Sequence, residues 1–276
     1  MQILGDNMQT FRMGSLALII IIGLMVSGCA TVAITGSADV NKKAFGANKK
    51  FAVVSINSMK TFQGEQSIAQ QFTSNDNIAG VNTQPVLNKL SPKIINALGK
   101  SKYFTLLPEN TLLASKAYKN LVEDEKAFKI LFIPITMNVA NNYKYLDFSD
   151  EKKFAKLAKD LNVDGVIGIR MNFTITSSGW AVAGFGKKYY SSTVSITAIA
   201  YNKEGAIIWK DSTTKEAEPG DTRAIIQIDP NMFSATNFEK FHPSAVEIGG
   251  KAVDVLLARF DDTMAGKETS MFQSVK

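Results

Sequence analysis

The run Leu157–Phe173, LAKDLNVDGVIGIRMNF, changes periodicity part-way through. Phe154, Leu157, Ala158 and Leu161 sit at the i, i+3, i+4 and i+7 positions of one helix face, so the spacing predicts a helix over 150–161. Asn162 suits a left-handed residue that ends it. From Val163 the period becomes two. Val163, Gly165, Ile167, Ile169, Met171, Phe173 and Ile175 alternate with Asp164, Gly168, Arg170, Asn172, Thr174 and Thr176, with Val166 the apolar exception. That is the pattern of a long strand with one buried and one largely polar face.

Working outward, residues 189–201 read as a second long strand with Val194, Ile196, Ala198 and Ala200 on one side. NKEG (202–205) is a hairpin turn and AIIWKDSTT returns as a third strand. Upstream, Phe51–Ile56 is a near-continuous apolar run, as expected of a central strand covered on both faces. Residues 57–83 are polar and read as a long loop. Val86, Leu87, Leu90, Ile94 and Leu98 then mark an amphipathic helix ending at Gly99. Pro85 suits its first turn, whereas Pro92 should kink it or mark its true start. YFTLL (103–107) reads as a strand, Pro108 opens a helix through Leu121, and 128–135 is ambiguous between strand and buried loop. A last helix begins at Pro243, with Val246, Gly249, Val253, Leu256 and Phe260 on its apolar side. The fold class is α+β: a mixed β-sheet with an antiparallel three-strand meander, and helices packed on one face of it.

The composition suits a globular chain: 276 residues, 45% hydrophobic and 20% charged, with a net charge of +6. The basic residues come in pairs such as Lys42-Lys43 and Lys187-Lys188 and not in long runs, and arginine is sparse. Nucleic acid is therefore not an expected partner.

The single cysteine lies behind an uncharged run, Met13–Val26, that is preceded by Arg12. Fourteen residues are short for a bilayer-spanning helix, which needs about 20, but suit a signal-peptide core. Val26-Ser27-Gly28-Cys29 resembles the lipobox of bacterial lipoproteins. The resemblance implies cleavage between Gly28 and Cys29, a diacylglyceryl group on the Cys29 thiol and an acyl group on its new amino terminus. Two or three chains make a stable anchor where one does not. Asp6 is unusual in such a leader, and a start at Met8 would remove it. Ala30 implies passage to the outer membrane in a Gram-negative envelope, with the domain facing the periplasm. The expected division is signal peptide 1–28, tether 29–50, a single domain 51–262 and a C-terminal tail 263–276.

FAVVSI, the helix running into ALGKSKYFTLLP, LAKDLNVDGVIGIRMNF and ITAIAYNKEGAIIWKDS resemble in layout the lipoproteins of the curli-secretion type. They are similar also to the TolB amino-terminal domain and the activator lipoproteins of penicillin-binding proteins. The resemblance implies an envelope interaction module and brings no catalytic residue.

Chemical motifs are few. His242 is the only histidine, too few for a His-rich metal site, and with Cys29 lipidated no free thiol is left for a Cys–His pair. GKS (99–101) and GFGKK (184–188) lack the glycine spacing of a phosphate loop. Asp261-Asp262 and Glu123-Asp124-Glu125 are carboxylates adjacent in sequence, whereas glycoside hydrolysis needs two across a cleft. The segment SSGWAVAGFGKKYYSS (177–192) joins the two long strands, and Trp180, Phe185, Tyr189 and Tyr190 on it are candidate partner-binding residues. The alternative for them is packing on the sheet. The sequence thus points to a non-enzymatic, lipid-anchored module binding an envelope protein or glycan, with no cofactor beyond the lipid on Cys29. The second reading is a subunit of an oligomeric secretion or export apparatus, and the third an envelope hydrolase using Asp and Glu.

Overall fold

Two strands form the spine. β7 (Gly165–Ser177) and β8 (Lys188–Asn202) pair antiparallel from Gly165↔Asn202 to Ser177↔Tyr190. The structure is a computed structural model, and it describes residues 38–64, 82–130, 133–177, 188–218, 226–228 and 239–267. β9 (Ile207–Lys215) continues the meander. Its hairpin turns at Gly205, whose φ of +88° is open to glycine at little cost. Asn202 Oδ1 accepts the Glu204 and Ala206 amides there.

β2 (Lys50–Met59) lies parallel to β7 on its other side, with an irregularity between Val53 and Ser55. Eight of its ten residues are buried, as its apolar run requires. β6 (Ile133–Val139) and β5 (Ala127–Ile130) extend the sheet antiparallel beyond β2, so the ambiguous 128–135 segment falls on two strands, of which β5 is the sheet edge. β1 (Asp39–Val40) closes the opposite edge against β9. Short strands continue existing lines: β3 (Gln63–Gly64) along β7, β4 (Thr105–Leu106) beside β2, and β10 (Ile226–Ile228) along β8.

The helices are α1 (Gln84–Gly99), α2 (Glu109–Ala114), α3 (Lys116–Lys119), α4 (Glu151–Asp160) and α5 (Phe241–Met264). α1 runs through exposed Pro92 without ending. The helix expected over 108–121 is instead two, because Ser115 turns to ψ 142° and its hydroxyl caps α3 by accepting the Tyr118 amide. Asp150 caps α4, and Asn162, at φ 52°, ends it as its left-handed position predicts.

α1 and α5 cover the face carrying Ile167, Ile169 and Met171, where a Cβ on Gly249 would lie 2.6 Å from Leu90 Cδ1 and 3.5 Å from Met171 Cε. The helices are not confined to that face, which corrects the one-sided arrangement expected above. Val166, Ile199 and Tyr201 are apolar on the second face and need cover. α4 and the preceding loop provide it: the Phe154 ring lies tilted against that of Tyr201 with centroids 4.9 Å apart, and Phe148 sits against Gly168. The Tyr201 hydroxyl donates to Phe148 O.

The domain also begins earlier than residue 51. Phe45 is buried in the core, ring to ring with Phe51 (5.0 Å) and Phe260 (5.1 Å). A tether over 29–50 therefore does not extend to residue 50: residues 39–45 already belong to the sheet edge and the core. At the other end α5 runs to Met264, into the segment expected as tail.

Candidate functional site

The described structure leaves much of the second sheet face uncovered by helices, and its rows follow from the strand register. Asn57, Arg170, Thr197 and Ser212 form one row across β2, β7, β8 and β9. Asn172, Ser195 and Thr214 form the next. All but Asn57 are half-buried. The hydroxyls pair laterally: Ser195 with Thr214 at 2.8 Å, Thr197 with Ser212 at 3.1 Å and Thr176 with Thr193 at 3.1 Å. Serine and threonine at alternate positions give a flat surface that can both donate and accept hydrogen bonds.

Arg170 stands at the centre of that surface, and its geometry is fixed. Nε donates to Asn57 Oδ1 at 3.1 Å, and the fully buried Asn57 is itself held by its Nδ2 donating to Ser55 Oγ. The guanidinium carbon lies 4.8 Å from the Phe148 ring centroid, a cation–π stack. Burial raises the pKa of the nearby Tyr145 hydroxyl, and the positive charge of Arg170 opposes that shift. Among the described residues the terminal guanidinium nitrogens have no hydrogen-bond partner, and no carboxylate pairs with them. Asn172 Oδ1, one row along, is buried and also unpartnered. A planar fork held by a stack and one hydrogen bond, with its two ends free, is preorganised to take a carboxylate or phosphate in two parallel bonds.

The other described arginine behaves in the opposite way. Arg259 on α5 is 1% exposed and saturates Asp211 of β9 on the covered face, with Nε to Oδ2 at 3.1 Å and Nη2 to Oδ1 at 3.0 Å. That pair is structural.

The candidates from sequence fall differently. Gly28, Cys29, Trp180 and Phe185 lie outside the described residues, as does the Tyr189 side chain, although its backbone belongs to β8. Tyr190 is 1% exposed, with its ring 6.4 Å from that of Phe241 at the start of α5. It is a core residue and not part of an exposed binding tip, because residue 190 lies on the face that α5 covers. Arg170 was visible in the sequence only as one of the polar alternates of β7. Its significance depends on Asn57, 113 residues away.

His242 is a half-buried group with partners on both its ring nitrogen and its ring face. Its Nε2–H donates to Asn82 O at 3.0 Å, and its ring stacks on Phe62 with centroids 6.0 Å apart. Burial holds its pKa below the ordinary value near 6.5, outweighing the opposing effects of the Asn82 carbonyl and Glu239. The unfolded chain therefore takes up this proton at higher pH than the folded one does. The stability conferred by neutral His242 is complete above pH 6.5 and is lost as pH falls from there toward the depressed folded value. Between pH 7 and 5, the Tm of the wild-type protein should fall more than that of His242→Gln, measured by thermal melts at matched ionic strength; parallel curves would contradict this.

Among the described residues, no three His, Cys, Asp or Glu side chains gather where they could hold a metal ion. No protein-family model matches the chain, and no curated protein sequence matches it. Solved structures similar to it include the LpoB C-terminal domain from Salmonella enterica, at 13% identity over 62% of this chain and 85% of that one, TM-score 0.32. Another is the PelC dodecamer from Paraburkholderia phytofirmans, at 10% identity over 81% and 96%, TM-score 0.26. A third is a neuraminyllactose-binding hemagglutinin homolog from Helicobacter pylori, at 8% identity over 80% and 90%, TM-score 0.32.

Proposed function

We propose that the chain is a lipid-anchored cell-envelope module that works by binding, and that it receives an envelope protein or glycan on the polar face of its sheet. The observation that carries this reading is Arg170: a guanidinium stacked on Phe148, locked by Asn57 and, among the described residues, open at both terminal nitrogens. A long hydrophilic strand face would tolerate any polar residue, whereas a buried asparagine positioned to orient one arginine is specific. The hydroxyl rows beside it supply further donors and acceptors, so the surface suits a partner bearing a carboxylate or phosphate amid polar groups. Catalysis has no part in this proposal, and the lipid on Cys29 is its only covalent addition.

A photo-crosslinking amino acid at Ser195 or Thr214, introduced in the living cell, tests it. The expected result is one reproducible adduct, identified as protein or glycan by its sensitivity to protease or to a glycan hydrolase. Arg170→Ala should weaken capture about tenfold to a hundredfold, the range for losing hydrogen bonds to a charged group. Fold integrity would be checked by an unchanged melting curve. An absent adduct, or one indifferent to Arg170→Ala, would contradict the proposal.

A further inference from the structure

The pole of the domain opposite the β7–β8 connection carries a concentration of exposed lysines that the sequence separates widely. Lys42 and Lys43 follow β1, Lys50 opens β2, and Lys100 and Lys102 follow α1. All five are exposed, and among the described residues none has an ion-pair partner. The chain itself brings them together. Gly46 N donates to Tyr103 O at 2.7 Å, Thr105 N donates to Lys49 O at 2.8 Å, and Lys50 pairs with Thr105 across β2 and β4. Lys102 lies over the Tyr103 ring at 5.1 Å, and a Cβ on Gly266 would come within 3.7 Å of Lys42 Nζ. The acids nearby are largely engaged: Asp164 takes Lys49 and Lys203, and Asp262 takes Lys267. Asp261 faces Lys102.

The same pole is where the chain enters the domain. β1 starts at Asp39, and eight residues separate Cys29 from Ala38, a span of nine residue steps. A fully extended chain reaches about 3.3–3.6 Å per residue, so Ala38 lies within about 30 Å of the lipidated sulfur. A lysine cluster held that close to a membrane experiences the surface field of anionic lipids, which acts over about a Debye length, ~10 Å at 0.1 M salt.

From this we infer that Lys42, Lys43, Lys50, Lys100 and Lys102 form a docking surface for the phosphate groups of anionic lipids, seating this pole on the membrane. The β7–β8 end then points away from the bilayer, and the polar sheet face stands at the side of the domain, open to a partner. This rests on the reading of Cys29 as lipidated, and it adds the orientation that a lipid alone does not give. Seating is reversible and electrostatic. It holds the domain upright without a fixed stoichiometry of lipid.

The lipidated full chain, reconstituted in vesicles and pulse-labelled with an amine-reactive reagent, tests the inference by mass spectrometry of each lysine. In vesicles containing 30% phosphatidylglycerol, the five lysines should be labelled about fivefold more slowly than in phosphatidylcholine vesicles, the factor expected per cation at such a surface. Lys89 and Lys129, exposed elsewhere on the domain, should not change. Salt at 1 M should remove the protection. Glycerol phosphate in solution, at the same phosphate concentration over phosphatidylcholine vesicles, should not reproduce it; if it does, the site binds free phosphate and not a membrane surface, and the inference falls. Equal labelling in both vesicle types overturns it as well. A chain that fails to float with phosphatidylcholine vesicles would instead refute the lipid anchor, so the two failures are distinguishable.

Discussion

Arg259→Met is expected to lower the unfolding free energy by about 3–5 kcal/mol, the cost of leaving a buried charge without its partner. The loss has a definite origin. Asp211 and Arg259 are 2% and 1% exposed, on β9 and α5, and are joined by two hydrogen bonds. The Ser212 amide adds a third to Asp211 Oδ1 at 2.8 Å. Burial pushes the Asp211 carboxyl up from its ordinary range, and the hydrogen bonds and charge of Arg259 oppose that. Remove the guanidinium and the carboxyl has only the amide left. Asp211→Leu combined with Arg259→Met should recover most of the loss, because two apolar side chains of similar size can replace a buried ion pair at little cost. Urea denaturation of the three variants reads this directly. A loss under about 1 kcal/mol for the single variant, or no recovery in the double, would show that the pair is not what ties α5 to β9.

Phe260→Ala should cost a similar amount, about 3–5 kcal/mol. Its ring contacts those of Trp209 (4.7 Å), Phe45 (5.1 Å), Tyr103 (5.9 Å) and Phe104 (6.0 Å). These come from the last meander strand, the first turn after β1 and the segment after α1, so one cavity would loosen three parts of the chain. Phe260→Leu, which fills most of the space, should lose less. Hydrogen exchange should show the β1 amides deprotected in Phe260→Ala before those of β7, since Phe45 anchors the 39–45 segment through this ring. Uniform deprotection would contradict that order.

What the sequence made legible was whatever neighbouring residues decide. The helix over Glu151–Asp160, its Asn162 end and the alternation of β7 each depend on spacing within one turn or one strand. The 202–205 turn is equally local. Long-range partners were not legible. No local pattern says that β2 lies parallel to β7, or why Gly165 is a glycine. A Cβ there would come within 2.6 Å of the Phe51 ring and 2.7 Å of Tyr201 O, contacts made by strands far apart in sequence. Residues 39–45 are small and basic enough to read as a tether, and only the aromatic cluster waiting for Phe45 makes them part of the fold. Tyr190 illustrates the same limit from the functional side. Aromatic and next to glycine-rich chain, it suggested a binding tip, but strand parity turns it into the core. Arg170 lay in plain view among the polar alternates, and only the position of Asn57 and Phe148 in space singles it out.

The account depends most on the membrane anchor, since both the proposed binding face and its orientation presuppose a domain fixed outside the cytoplasm. The intact mass of the detergent-extracted protein tests it most directly. A chain beginning at Cys29 and carrying diacylglyceryl plus an amino-terminal acyl group is expected, with Cys29→Ala leaving the precursor uncleaved. An unmodified cysteine in a full-length chain would contradict the account.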